Sequence, residues 1–139
     1  MKLGDWEWNY YWVAQPNKTL YITAVAGLFI SEILSHFDQA VAGNLPLKLS
    51  YTFAHDGDIG PVLGALGIHS LRWPGMGSNL AMELWKTNAD EKYFIRVLYC
   101  GTPVRTSTGD LSWVSYTQFR SILAQYLPQD IVSLCNNSA

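Results

Sequence analysis

The spacing of apolar residues along the chain predicts alternating helices and strands. Between Leu20 and Val41 apolar side chains recur every three or four residues, which is the period of a helix with one buried face. Gly43 and Pro46 follow and end this helix. From Leu47 to Ala54 apolar and polar residues alternate, and this period of two predicts a strand. The aromatic-rich segment from Asp5 to Trp12 fits either a helix end or a strand.

A short polar turn, His55 to Asp58, joins the predicted strand to a second helix. Asp58 is the predicted N-cap of this helix, Pro61 falls in its first turn, and Gly67 suits its C-terminal cap. The order of strand, polar turn and helix is where ligands bind in α/β sheets. This turn is therefore the most informative place in the sequence.

The second half of the chain predicts a β-hairpin and a final helix. Alternation over Asn79–Lys86 and again over Tyr93–Tyr99 predicts two antiparallel strands joined by a short charged loop. Ser115 and Gln118 form a capping box that opens the last helix, and Pro128 ends it. The sequence of helix, strand, helix, hairpin and helix predicts an α/β layered fold.

Composition narrows the classes of function. The 139 residues are 49% hydrophobic and carry a net charge of −2, which predicts one globular domain and excludes intrinsic disorder. No basic excess is present, so we expect no nucleic-acid partner. The longest apolar stretch, Leu20 to Ile30, is roughly half of what a membrane helix needs, and we expect a buried helix and no membrane. A signal peptide is absent from the chain, which is therefore either cytosolic or lacks its true beginning.

The cysteines and the glycosylation motifs do not determine whether the protein is secreted or intracellular. Cys100 and Cys135 have the spacing of neither a zinc site nor a redox pair, so they are either unpaired thiols or members of a disulfide. Asn17 and Asn136 each begin an Asn-x-Ser/Thr motif. About one such motif is expected by chance, so two are weak support for secretion.

His55 and Asp56 are the candidate functional residues. They follow the predicted strand and precede a helix whose first amides carry about half a positive charge. An imidazole and these amides suit an anion such as phosphate, and the neighbouring carboxylic acid suits protonation of a departing oxygen. The alternatives are that Asp56 and Asp58 only cap the helix, or that they bind a metal together with His55. His36 and His69 fit an ordinary helix-face residue and an ordinary loop residue.

The residues around this turn resemble a known family. Residues 51–59 (Tyr-Thr-Phe-Ala-His-Asp-Gly-Asp-Ile) and 61–67 (Pro-Val-Leu-Gly-Ala-Leu-Gly) resemble the second signature of the histidine acid phosphatases. This group of the phosphoglycerate-mutase-like superfamily includes fungal acid phosphatases and phytases. Residues 76–85 and 93–104 resemble the family's Met-Gly strand and its return strand, in the same order. The resemblance implies the C-terminal part of that superfamily's α/β sandwich.

The resemblance implies hydrolysis of small phosphomonoesters in two steps through a phosphohistidine. In the family an Arg-His-Gly-x-Arg-x-Pro motif near the start supplies the nucleophilic histidine. The second signature supplies a phosphate-binding histidine and an aspartic acid that protonates the leaving alcohol, here His55 and Asp56. No cofactor and no metal are implied. Asp56 has to be protonated at the working pH, which implies an acidic optimum.

The nucleophile motif does not occur in these 139 residues. We therefore expect residues 1–139 to be the C-terminal half of such a domain, inactive without its N-terminal half. The alternative is a non-catalytic remnant of the same fold that binds phosphate. Trp6, Trp8 and Trp12 are expected to be exposed on this chain and to pack on the missing half.

The resemblance also bears on the compartment. The family's fungal members are secreted, disulfide-bonded and glycosylated, which implies a secreted protein with glycans on Asn17 and Asn136. Cys135 matches a family cysteine that pairs with the missing half, whereas Cys100 has no counterpart. The choice between phytate and other phosphomonoesters, and the oligomeric state, are not readable from the sequence.

Overall fold

Helices and short antiparallel strands alternate along the chain. The computed structural model describes residues 2–130, 132 and 136. The helices are α1 (Leu3–Asn9), α2 (Lys18–Val41), α3 (Asp56–Ala65) and α4 (Tyr116–Ala124), and a π-helical turn (Tyr10–Ala14) follows α1 directly. The strands are β1 (Leu80–Lys86), β2 (Tyr93–Tyr99), β3 (Thr102–Pro103), β4 (Arg105–Thr106), β5 (Gly109–Asp110) and β6 (Val114–Ser115). The α/β class is as the sequence predicts.

β2 is the centre of a four-stranded sheet. It runs antiparallel to β1 over its full length, with Leu80 opposite Tyr99 and Lys86 opposite Tyr93. β3 and β6 also pair antiparallel with β2, and β4 and β5 form a separate two-stranded ribbon. Because neighbouring side chains point to opposite faces, this register puts Ile95 and Val97 in the core. The predicted hairpin is confirmed.

One hydrophobic core joins the sheet to the helices. Phe37 of α2 meets Phe119 of α4 edge to face, with ring centroids 5.8 Å apart. The fully buried side chains come from every layer and include Ile22 and Ile30 of α2, Leu63 of α3, Ile95 of β2 and Leu123 of α4. The N-cap Ser115 accepts a hydrogen bond from the N–H of Gln118 at 3.2 Å, so the predicted start of the last helix is confirmed.

α2 has one buried and one exposed face. Ile22, Ala26 and Leu34, which carry the helical spacing, are buried, and so is Ile30. Val25 carries the same spacing but is exposed. The opposite face exposes the apolar side chains of Leu20, Tyr21, Val25 and Leu28. The helix has 24 residues and is long and apolar enough to cross a membrane by length and composition alone, a test that core helices of globular domains also pass. The expected absence of a membrane partner stays a prediction.

α3 packs against the π-helical turn through two glycines. A Cβ atom on Gly64 would lie 2.4 Å from the carbonyl oxygen of Trp12, and one on Gly60 would lie 2.7 Å from the indole nitrogen of Trp8. This approach buries Trp12 and half-buries Trp8, whereas Trp6 is 55% exposed. The expectation of three exposed tryptophans is therefore right for Trp6 and wrong for the other two, because these pack on α3 within the chain.

The predicted strand over Leu47–Ala54 is wrong for this structure. The segment contains no helix or strand, and no strand of the described residues pairs with it. Its apolar side chains are open to solvent, with Tyr51 74% and Phe53 91% exposed. The alternation of apolar and polar residues is typical of a strand. A strand also needs a neighbouring strand whose backbone groups form hydrogen bonds with its own. Of the predicted strand, turn and helix, the turn and the helix are present.

Gly64→Ala is expected to destabilise the fold by about 1–3 kcal/mol, since the added methyl group meets backbone rather than a movable side chain. Gly57→Ala is the matched control on the same helix, where a Cβ atom would have no neighbour within 4 Å. This control should be neutral or stabilising by up to about 1 kcal/mol, because alanine favours helix. Urea unfolding measures both, and equal effects would contradict the close approach.

A polar network ties α2 to α4 at the edge of the core. Tyr116 Oη donates to Asp38 Oδ1 at 2.6 Å, and Arg120 Nε donates to the same carboxylate oxygen at 3.0 Å. The hydrogen bond from Arg120 holds the pKa of Asp38 below its ordinary value of 3.8. Burial, together with the bond to Asp38, raises the pKa of Tyr116.

The lowered pKa of Asp38 makes the contribution of this network depend on pH. The contribution is present above pH 3.8, the ordinary value, and is lost as the pH falls through the lower pKa of the folded state. Asp38→Asn should cost about 0.5–1 kcal/mol at neutral pH, because the pair is partly exposed. Its deficit relative to wild type should shrink below pH 3.8 in urea unfolding. A loss of stability that is the same at neutral pH and below pH 3.8 would contradict this assignment. Glu32→Gln, on the exposed face of α2, is the control.

Candidate functional site

His55 is the N-cap of α3, immediately after the unpaired segment. Its backbone N–H donates to Asp58 Oδ2 at 2.8 Å, and the N–H of Asp58 donates to the carbonyl of His55 at 3.0 Å. This reciprocal pair closes the first turn of the helix from both sides. The prediction of Asp58 as N-cap is therefore wrong. Asp58 lies inside the helix, and its carboxylate reaches back to the residue that precedes the helix.

Asp56 is the first residue of α3 and is half-buried, whereas His55 is exposed. Its Oδ1 accepts the N–H of Gly57 at 2.8 Å. The amides of Asp58 and Ile59 both point to the carbonyl of His55, at 3.0 Å and 3.3 Å. The expectation that these first amides are free for an anion is therefore wrong for this structure. An anion arriving at the helix end competes with the Asp56 carboxylate for the Gly57 amide.

The early start of α3 also changes the place of Pro61. The helix begins at Asp56 rather than after Asp58, so Pro61 lies in its interior and not in its first turn. Proline has no N–H to donate to the carbonyl four residues earlier, that of Gly57. The C-terminal end is as predicted, because Gly67 follows the helix with a φ of +78°.

Two indole groups close to the start of α3 were not foreseen. The Nε1 atoms of Trp8 and Trp12 are buried and have no hydrogen-bond partner among the described residues. Both lie within 3 Å of the place that a Cβ atom of Gly60 would take. Leaving a buried donor unpaired costs about 1–3 kcal/mol. Ring contacts offset this cost, including one of Trp8 with Trp73 at 4.5 Å between centroids. The sequence shows the aromatic cluster but not which helix it contacts.

The other predicted histidines lie elsewhere. His36 is half-buried on α2, and His69 is exposed in the loop after α3. The metal alternative needs His55, Asp56 and Asp58 to converge. In the described part of the chain no group of three or more His, Cys, Asp or Glu side chains is placed to hold an ion. The structure therefore gives the metal alternative no support among the described residues.

The candidate modification sites are exposed where the structure describes them. Asn17 and Asn136 are both on the surface. Cys100 is an exposed free thiol. Cys135 lies outside the described residues, so its disulfide stays a prediction.

Comparison with known proteins assigns the chain to a family. The sequence profile of the histidine phosphatase superfamily (branch 2) matches residues 5–100. The chain belongs to this superfamily. The match begins within α1 and includes α2, α3, the His55–Asp56 turn and both strands of the hairpin. It confirms the resemblance drawn from the second signature.

Curated relatives of this histidine phosphatase chain are more than four times as long as the matched stretch. Human lysophosphatidic acid phosphatase type 6 is 34% identical over 71 residues, which are 51% of this chain and 17% of that protein. Human 2-phosphoxylose phosphatase 1 is 29% identical over 80 residues, or 57% of this chain and 17% of that protein. Counting factor 60 of Dictyostelium discoideum is 27% identical over 93 residues, 66% of this chain and 22% of that protein.

Asp58→Ala is expected to destabilise the protein by about 1 kcal/mol, because it removes the acceptor of the His55 N–H. Asp58→Asn is the matched control, since its amide oxygen still accepts that bond while the charge is lost. Urea unfolding, with amide exchange of His55 by NMR, measures both. Equal loss in the two variants would show that charge at the helix start, and not the cap, stabilises the turn.

Proposed function

We propose that this chain is the phosphate-binding and acid-supplying part of an acid phosphatase that hydrolyses small phosphomonoesters. The observation that carries the proposal is the adjacent pair His55 and Asp56 at the N-terminus of α3 in a member of the histidine phosphatase superfamily. The exposed imidazole of His55 binds phosphate oxygens. The carboxyl group of Asp56 protonates the leaving alcohol.

The reaction is the one that the likeness to the histidine acid phosphatases implies for these two groups. A nucleophilic histidine, supplied by polypeptide outside these residues, attacks phosphorus. The bond from phosphorus to the alcohol oxygen breaks, and the proton of Asp56 passes to that oxygen. Water then attacks the phosphohistidine while the Asp56 carboxylate takes its proton, which releases phosphate and restores the acid. The chain needs neither metal nor cofactor for these steps.

The amide of Gly57 couples phosphate binding to Asp56. In the structure the Asp56 carboxylate accepts this amide. A phosphate group at the helix end takes the same donor and leaves Asp56 without it. Phosphate binding therefore changes the hydrogen bonding of the carboxyl group that we propose as the general acid.

The substrate beyond this class stays open. Two relatives are named for different substrates, lysophosphatidic acid and 2-phosphoxylose, so the likeness supports a phosphatase and no particular ester. We also propose that an N-terminal half completes the domain. We further propose that the protein is secreted, carries glycans on Asn17 and Asn136, and forms a disulfide through Cys135. The alternative is a non-catalytic remnant that binds phosphate.

Inorganic phosphate is expected to bind the chain and to shift the NMR signals of His55 and Gly57. His55→Ala should weaken this binding about tenfold, because a charge-assisted hydrogen bond is lost. Asp56→Ala should strengthen it, since the Gly57 amide becomes free and a negative charge is removed. His69→Ala, which removes an exposed histidine outside the turn, is the control. Equal affinity in wild type and His55→Ala would contradict the proposal.

A hydrolysis assay distinguishes the proposed phosphatase from the alternative, a non-catalytic remnant that binds phosphate. The chain by itself should not hydrolyse p-nitrophenyl phosphate at acid pH above the buffer rate, since it has no nucleophile motif. Turnover by the chain that disappears in Asp56→Ala would overturn that expectation. Joined to its N-terminal half, the chain should become active in an Asp56-dependent way. A completed domain that binds phosphate without turnover would favour the remnant.

A further inference from the structure

The indole N–H groups of Trp8 and Trp12 are buried donors that have no partner among the described residues. Each Nε1 atom is closed to solvent, and contacts within the chain account for that burial. Most buried polar groups in native proteins are hydrogen-bonded, so an unpaired one needs an explanation. Because solvent does not reach these atoms in the structure, we look for their acceptor in the protein rather than in bulk water.

The two indoles lie on the face of α3 that begins with Asp56. Asp56, Gly60 and Gly64 are four residues apart and therefore share one face of the helix. The carbonyl of Trp12 lies against Gly64, whereas both Nε1 atoms lie against Gly60. The chain that carries the tryptophans therefore runs beside α3 in the same direction. Trp8 comes four residues before Trp12, which places it nearer the start of α3.

We propose that the indole N–H of Trp8 is a second hydrogen-bond donor for the Asp56 carboxylate, used when phosphate occupies the amide of Gly57. This inference rests on the function proposed above. Trp8 Nε1 lies 2.7 Å from the place that a Cβ atom of Gly60 would take. That place is about 5–6 Å from the Cβ atom of Asp56 and is tilted toward it, as helix geometry requires. A carboxylate that leaves Gly57 therefore has this donor within one helical turn.

The exchange of donors keeps the carboxylate hydrogen-bonded while phosphate binds. In the structure Asp56 Oδ1 accepts the amide N–H of Gly57 at 2.8 Å. Phosphate that takes this amide deprives a half-buried carboxylate of its donor, which is unfavourable for a charged group. An indole N–H donates and cannot accept, so it holds the carboxylate without removing the proton of the acid. Trp8 is thus a positioning residue that acts through Asp56.

The contacts of Trp8 on its other side hold its ring in place. The ring centroid of Trp73 is 4.5 Å from that of Trp8. The loop that carries Trp73 is bonded to α1 at two points. Asp5 Oδ1 accepts the N–H of Trp73 at 3.2 Å, and Asn9 Oδ1 accepts the N–H of Leu71 at 2.9 Å. A ring held between this loop and α3 keeps its N–H in position before phosphate arrives.

The indole N–H signals of the chain in ¹H–¹⁵N NMR spectra test the proposal. Inorganic phosphate should shift the Trp8 indole signal together with the amide signals of His55 and Gly57, and the Trp12 indole signal should stay in place. In Asp56→Ala the His55 and Gly57 signals should still respond, whereas the Trp8 signal should not, because its acceptor is gone. The wild-type spectrum needs no substitution at Trp8, so the test does not depend on the folding of a tryptophan variant.

Phosphate affinity gives a second measurement. Trp8→Phe removes the donor and keeps an aromatic ring, and it should weaken phosphate binding about tenfold through the loss of one charge-assisted hydrogen bond. Trp12→Phe is the matched control, since it removes the other unpaired indole N–H from the same contact with Gly60. This control should leave the affinity unchanged. In an Asp56→Ala background Trp8→Phe should have no effect, because the group that it serves is absent.

The results that overturn the proposal differ from those that overturn the proposed function. A Trp8 signal that does not move while His55 and Gly57 respond to phosphate refutes the exchange of donors and leaves the proposed function intact. A loss of affinity that Trp12→Phe shares, or that persists in Asp56→Ala, assigns the effect of Trp8 to packing. The absence of any response at His55 and Gly57 overturns the proposed function and this inference together.

Discussion

The close approach of α3 to the π-helical turn fixes the position of the candidate site. α3 has ten residues, too few to be stable as an isolated helix, and its first turn is at the surface. Gly60 and Gly64 let it lie directly on Trp8 and Trp12, at distances where any side chain would collide. The turn that presents His55 is therefore held by residues near the start of the same chain.

Features that depend on a local burial pattern could be predicted from the sequence. The buried stripe of α2, the hairpin and the cap at Ser115 each follow from residues close together in the chain. Features that depend on distant neighbours could not. The segment from Leu47 to Ala54 has the alternation of a strand but no partner among the described residues. The burial of Trp12 follows from two glycines more than 40 residues away, and the sequence gives no sign of that contact.

The start of α3 shows how one turn combines structural and chemical roles. The pattern of two aspartates and a histidine has three interpretations, a helix cap, an acid catalyst and a metal site. The structure assigns different tasks to the two carboxylates. Asp58 bonds the His55 amide and so serves the cap, whereas the bond that the structure describes for the Asp56 carboxylate is to the amide of the next residue. Asp56 can therefore exchange its partner without opening the cap, which is compatible with the acid role that we propose for it.

The unpaired segment and the candidate site are continuous in the chain, because His55 follows Ala54 directly. A strand that pairs along the whole segment therefore comes close to His55, whichever polypeptide it comes from. If it is the rest of a phosphatase domain, it brings new side chains to the phosphate position. What covers this short stretch of backbone therefore acts directly on the surroundings of the His55–Asp56 turn.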